Sequence, residues 1–170
     1  MPTNFYMYFI TALIPLLIGS IYYHPKVVGN AWMKVNQFTE KDLEGANMIA
    51  ILGLSYFLGI MISFAFGGVV VHQTGAAQMM IPGLLESGSE TQTLFNSLMT
   101  TYGDHHRSFG HGAIHGVLFT ILFVLPIIAI NALFERRGGK YIMIHFIYWM
   151  ITLVLIGGVL CKTLQWAPAI

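Results

Sequence analysis

Gly103-Asp-His-His-Arg107 leads directly into Ser108-Phe-Gly-His-Gly-Ala-Ile-His-Gly116, and from Ser108 the chain continues to Phe134 without one Asp, Glu, Lys or Arg. A bilayer core needs about 20 apolar residues in a helix, and this run exceeds that. Three more stretches do the same: Met1 to Pro25, Gly45 to Leu85 and Tyr141 to Cys161 contain no charged side chain. Only 9% of the 170 residues are charged and 56% are hydrophobic, against roughly 25% charged in a soluble domain. The fold class expected is all-α, a polytopic membrane protein in a single domain spanning 1–170. Four transmembrane helices are expected at about 4–23, 46–71, 108–134 and 141–166, together with short amphipathic interfacial helices.

The connections carry the remaining signals. Pro15 and Pro126 sit inside the first and third spans, where neighbouring helices tolerate a kink. Pro25 suits the first turn of a short surface helix through about Val35, with Lys26 and Lys34 toward water. Thr39 and Asp42 form a capping pattern from which the second helix starts near Glu40 and enters lipid around Ala46. The long connection 73–107 is broken at Pro82-Gly83. It then resumes as an amphipathic helix over about 90–102, with Ser89 and Gln92 as its capping pair and Gly103 as its stop. The turn Glu135-Arg-Arg-Gly-Gly-Lys140 makes the third and fourth spans antiparallel neighbours. The tail from Ala167 to Ile170 is too short for a further domain.

Basic residues set the orientation. Lys26, Lys34, Lys41, Arg136, Arg137 and Lys140 fall in the first and third connections, whereas Arg107 and Lys162 fall on the other side. The excess marks the cytoplasmic face and leaves both termini and the histidine-bearing connection outside. A net charge of +1 offers no basic surface for nucleic acid. The single cysteine, Cys161, excludes an internal disulfide and a cysteine metal cage.

His111 and His115 are four apart, so they share one helix face with Cβ atoms roughly 5–6 Å apart, a spacing at which two imidazoles can hold one metal. Gly112 and Gly116 form a small-residue face beside them. Gly67 and Gly68 on the second helix and Gly157 and Gly158 on the fourth lie at similar depth. These six glycines are the candidate packing positions. His72 is the third candidate ligand, with Asp104, His105 and His106 above it. The competing reading is that these histidines are ordinary hydrogen-bonded groups at a lipid–water boundary. The pair lacks the glutamate of the zinc-protease helix pattern. A further pair, His24 and His145, lies at the opposite end, so that two histidine levels would suit the axial ligands of haem. Ser108 near His111 and Asp104 is a weaker nucleophile candidate. No carboxylate or basic group lies within a span, where ion-coupled carriers usually bury one.

Tyr22-Tyr-His-Pro25, Gly29-Asn-Ala-Trp32-Met and Thr39-Glu-Lys-Asp-Leu43, followed by Gly116, Asn131-Ala-Leu-Phe-Glu135 and Gly157-Gly158, resemble a bacterial membrane family, domain of unknown function 1761. The resemblance spans almost the whole chain. It implies a small four-helix inner-membrane protein, with the histidine-rich insertion before the third helix larger than the family's usual connection. The function expected first is a non-enzymatic membrane protein that contacts lipid and either itself or another membrane protein, as a homo-oligomer or an accessory subunit. An outward transition-metal or haem site is the alternative, and a channel or carrier for a small neutral solute is the third.

Overall fold

The structure, a computed structural model, describes residues 2–166; the tail from Ala167 to Ile170 lies outside the described residues. All its named elements are helical. They are α1 (Tyr6–Thr11), α2 (Ile14–Tyr22), α3 (Asn30–Asn36), α4 (Glu40–Leu43), α5 (Met48–Val70), α6 (His72–Met80), α7 (Glu90–Tyr102), α8 (Phe109–Phe119), α9 (Leu125–Phe134) and α10 (Gly139–Thr163). Three stretches are long and apolar enough to cross a membrane: Met48–Val70, Phe109–Phe134 and Gly139–Thr163. A fourth is reached when Tyr6–Tyr22 is taken with Pro25–Asn36, which bends away from it by 58°.

The first span, expected over 4–23 with a kink at Pro15, is interrupted a little upstream of that proline. α1 and α2 meet at Ala12 and Leu13, and Pro15 occupies the first turn of α2, where its missing N–H costs nothing. The second helix is broken too. Asn47 Oδ1 accepts from the Ala50 N–H and starts α5 afresh, and Gly45 turns the chain at φ +74° between α4 and α5. In the third span Pro126 leaves its mark upstream. The turn Thr120–Val124 widens to a π-helix between α8 and α9, as a helix must when a proline ring crowds the preceding carbonyls.

Glycine brings α8 and α10 together. A methyl on Gly116 would meet Leu153 O at 2.6 Å, and one on Gly157 would meet Gly112 O at 2.5 Å. A methyl on Gly158 would strike the Phe109 ring at 2.5 Å, and one on Gly67 the Tyr8 ring at 2.6 Å. Only the missing Cβ atoms allow such backbone approach. Gly68 departs from the expectation: a methyl there would reach no more than Thr74 Cγ2, at 4.0 Å. Gly59 takes up that work, lying against Ala12 O at 2.7 Å where α5 crosses the start of α2. Around these contacts Tyr8, Phe66, Val70, Leu153, Ile156 and Leu160 form the buried core. The outer faces stay apolar and open: Ile49 and Phe134 are each 87% exposed.

The two ends are tied differently. At one, Arg137 Nη1 donates to Val35 O (3.2 Å), placing the basic turn beside α3. At the other, Asn4 Nδ2 donates to Thr163 O and the Gln165 N–H to Asn4 Oδ1, both at 2.8 Å. This second end carries His72, His105, His106, His111 and His115.

Candidate metal centre

Three segments build the cluster. Val71 leaves helical geometry (φ −106°, ψ 98°) between α5 and α6, so the chain turns and His72 opens α6 instead of extending α5. Gln73, next to it, is buried. Its Nε2 donates to Gly103 O at 2.6 Å, and its Oε1 lies 3.5 Å from Arg107 Nη1. That clamp holds the connection between α7 and α8 close to α6. Cys161 Sγ donates to His106 O at 3.1 Å from α10, fixing the same connection from the other side. Ser108 Oγ then accepts from the His111 N–H at 3.1 Å and caps α8, as its residue type favours.

The result is convergence. His72 Nε2 lies 2.9 Å from His111 Nε2, and His115 Nε2 lies 3.0 Å from the same atom. One ligand nitrogen from each ring falls within 4.8 Å of the other two. His72 is exposed, and His111 and His115 are half-buried.

Hydrogen bonding alone does not satisfy this arrangement. A neutral imidazole Nε2 has either one N–H or one lone pair. If His111 Nε2 carries the hydrogen, two acceptors compete for it; if it carries the lone pair, two donors do. A cation resolves the conflict, because three lone pairs can point at one centre. Ligands about 2.0–2.1 Å from zinc in a tetrahedron stand about 3.3 Å apart. The two close separations, 2.9 and 3.0 Å, are within a few tenths of an ångström of that value. Imidazole nitrogen suits zinc, copper, iron and nickel, and three protein ligands leave a position open for water or another molecule.

The other expected ligands stand apart. Asp104 lines a larger cavity together with Arg107 and Lys162. His105 and His106 share a smaller recess with His72. The His106 ring centre lies 4.9 Å from that of His111, so it walls the cluster without joining the ligand set. His106 also takes the left-handed conformation (φ 61°), and Gly103 ends α7 as expected, in the right-handed region at φ −58°. Ser108 Oγ is engaged as the cap of α8.

A haem between these histidines does not fit. Axial ligands approach from opposite faces of the macrocycle, and the His72 and His115 nitrogens, 2.9 and 3.0 Å from His111 Nε2, stand too close to it to admit a macrocycle between either pair. At the far end, His24 Nδ1 accepts from the Lys26 N–H and His145 Nδ1 pairs with the Tyr23 hydroxyl at 3.2 Å. Each has its own local hydrogen-bond partner.

Sequence reasoning missed Gln73, Arg107 and Cys161 as the residues that hold the cluster's scaffold. Burial pulls the Arg107 guanidinium below its ordinary value, partly opposed by Cys161, Asp104 and Tyr8. A signal existed for Gln73: it is a long amide immediately after His72 in an otherwise apolar stretch.

An all-helical chain with three or four stretches long enough to span a membrane, and three imidazoles converging at one end, defines the class. The chain belongs to the family described as protein of unknown function (DUF1761), which matches residues 6–161. No curated protein and no solved structure matches the chain.

Proposed function

We propose that this is an integral membrane protein that holds a divalent transition metal on His72, His111 and His115, without itself being an enzyme. The observation that carries the reading is the meeting of three Nε2 atoms at 2.9 and 3.0 Å from two different helices. The helix lengths support membrane insertion, and the bias of Lys and Arg toward the Arg137–Val35 end supports a cytoplasmic placement of that end. The metal end and both termini then face outward from a bacterial inner membrane.

The test is stoichiometry. Full-length protein in lipid nanodiscs, stripped with chelator and dialysed against zinc, should retain one ion per chain by elemental analysis. A variant with all three histidines changed to alanine should retain none. Equal retention by the two proteins would refute the reading.

A second reading, self-association or service as an accessory subunit, has its own support. An apolar recess of about 290 Å³ opens on the flank beside the widened turn, lined by Ile62, Phe119, Phe123, Ile127 and Trp149. A helix of a second copy suits that surface. Native mass spectrometry from nanodiscs distinguishes the cases, and a strictly monomeric population would remove this one. A solute path through the bundle draws no support from a centre filled by Phe66, Leu153 and Ile156.

A further inference from the structure

We propose that the cavity bounded by α7, the connection into α8 and the end of α10 binds an organic anion, through carboxylate or phosphate oxygens held by Arg107 and Lys162. Its volume is about 740 Å³, inside the roughly 300–1,000 Å³ typical of small-molecule sites.

The charges favour an anion. Arg107 and Lys162 line the cavity against one acid, Asp104, leaving one positive charge in excess. Among the described residues the salt bridge found is Arg137–Glu135, at the opposite end of the bundle. Arg107 is half-buried, and its side-chain hydrogen bond, to Gln73 Oε1, is stretched to 3.5 Å. A guanidinium presents five N–H donors and matches a carboxylate or phosphate with two parallel bonds. A half-buried charge without a close counter-ion is costly, and a bound anion would relieve that cost.

Trp166, Met99 and Leu164 form an apolar wall of the cavity, which suits a carbon body attached to the anionic group. The Phe95 ring centre lies 6.4 Å from that of Trp166. The cavity shares Gln73 and Met99 with the recess that contains His72. Its anion-binding groups are nevertheless separate from the three imidazoles, so the site does not depend on metal.

Phosphate oxygens could arrive as a lipid headgroup or as a soluble ester, and the experiment separates these sources. Metal-stripped full-length protein in phosphatidylcholine nanodiscs is titrated calorimetrically with glycerol 3-phosphate. In parallel, phosphatidylglycerol is added to the nanodiscs and retained lipids are counted by native mass spectrometry. Saturable binding of the ester supports the soluble source, and retention of phosphatidylglycerol supports the headgroup. In either arm Arg107→Gln should weaken binding at least about tenfold, since a charged hydrogen-bond pair is lost. Lys162 is exposed, so Lys162→Gln should weaken binding several-fold while leaving the melting temperature of the unliganded protein unchanged. Should Arg107→Gln fail to fold, Lys162→Gln carries the test. Binding of neither probe, or binding unchanged in these variants, would overturn the proposal.

Discussion

Replacing His111 by alanine is the sharpest single perturbation, because its Nε2 is the atom both other rings approach, at 2.9 Å from His72 and 3.0 Å from His115. The variant leaves two imidazoles, one on each of two helices, with no shared neighbour. Zinc sites with four ligands bind with about 10–16 kcal/mol in peptides, so one ligand is worth about 2.5–4 kcal/mol, or roughly 100- to 1,000-fold in affinity. The metal-free protein should respond in the opposite sense. His111 Nε2 cannot satisfy both neighbours, and a partly exposed hydrogen bond contributes only about 0.5–1.5 kcal/mol. His111→Ala should therefore leave the metal-free melting temperature within a few degrees of the parent. It should also abolish the stabilisation of about 2.7 kcal/mol expected at a metal concentration of 100 Kd. Cobalt(II) is the assay ion, because its visible bands report tetrahedral coordination and competition with a chromophoric chelator gives the affinity. An unchanged cobalt spectrum and affinity in His111→Ala would falsify the three-imidazole site. A collapse of metal-free stability would show that the ring acts chiefly in packing.

Acidification should release the ion, since each ligand must be a neutral imidazole and histidine titrates near pH 6.5 in general; a chelator-competition curve that stays flat from pH 8 to about pH 5 would contradict this. Gly116→Ala places a methyl 2.6 Å from Leu153 O, and overpacking of that kind costs about 1–3 kcal/mol. Gly53→Ala meets open space and should melt with the parent, so equal melting of the two variants would be the adverse result. The Asp42 carboxyl accepts from the Thr39 hydroxyl at 2.6 Å and the Thr39 N–H at 2.8 Å, and these bonds hold it below the usual carboxylate range. Because its folded value is depressed, its contribution to stability is present above the unfolded value, about 3.9, and is lost as pH falls through the folded one. In Thr39→Ala the Asp42 resonance should titrate nearer the ordinary value by NMR, and an unmoved midpoint would show that the threonine hydroxyl does not depress it.

What could be read from the residues alone follows physical range. Uncharged runs of bilayer length, the i, i+4 pair His111 and His115, and the paired glycines of α8 and α10 are local patterns, and each yields its element directly. Ser89 was legible as a cap by type and accepts from the Gln92 N–H three residues on; Ser108, read as a nucleophile candidate, caps α8 in the same way. The breaks were harder. The end of this span near 71 was legible, but nothing in Val71-His72 announces that the chain turns there and opens a new helix, because valine and histidine can equally continue the old one. Yet the stop swings His72 toward His111. The π-helical turn at Thr120–Val124 is displaced upstream of the proline that explains it, so Pro126 announced a kink and hid its position. Asp104, His105 and His106 looked equivalent to the true cluster because neighbours in sequence diverge once a connection is clamped at Gln73 and Cys161. Such clamps act over 30 to 55 residues, beyond any local pattern.

The stitching of Asn4 to Thr163 and Gln165 bears on how the chain is made. Their hydrogen bonds join residues 159 and 161 positions apart, and Tyr148 of α10 reaches back to Pro15 O at 3.0 Å. The break at Ala12 meets α5, through Gly59 against Ala12 O, so that contact can form as soon as the second long helix is made. The stitches to α10 must wait for the end of the chain, and the two termini therefore close the fold together.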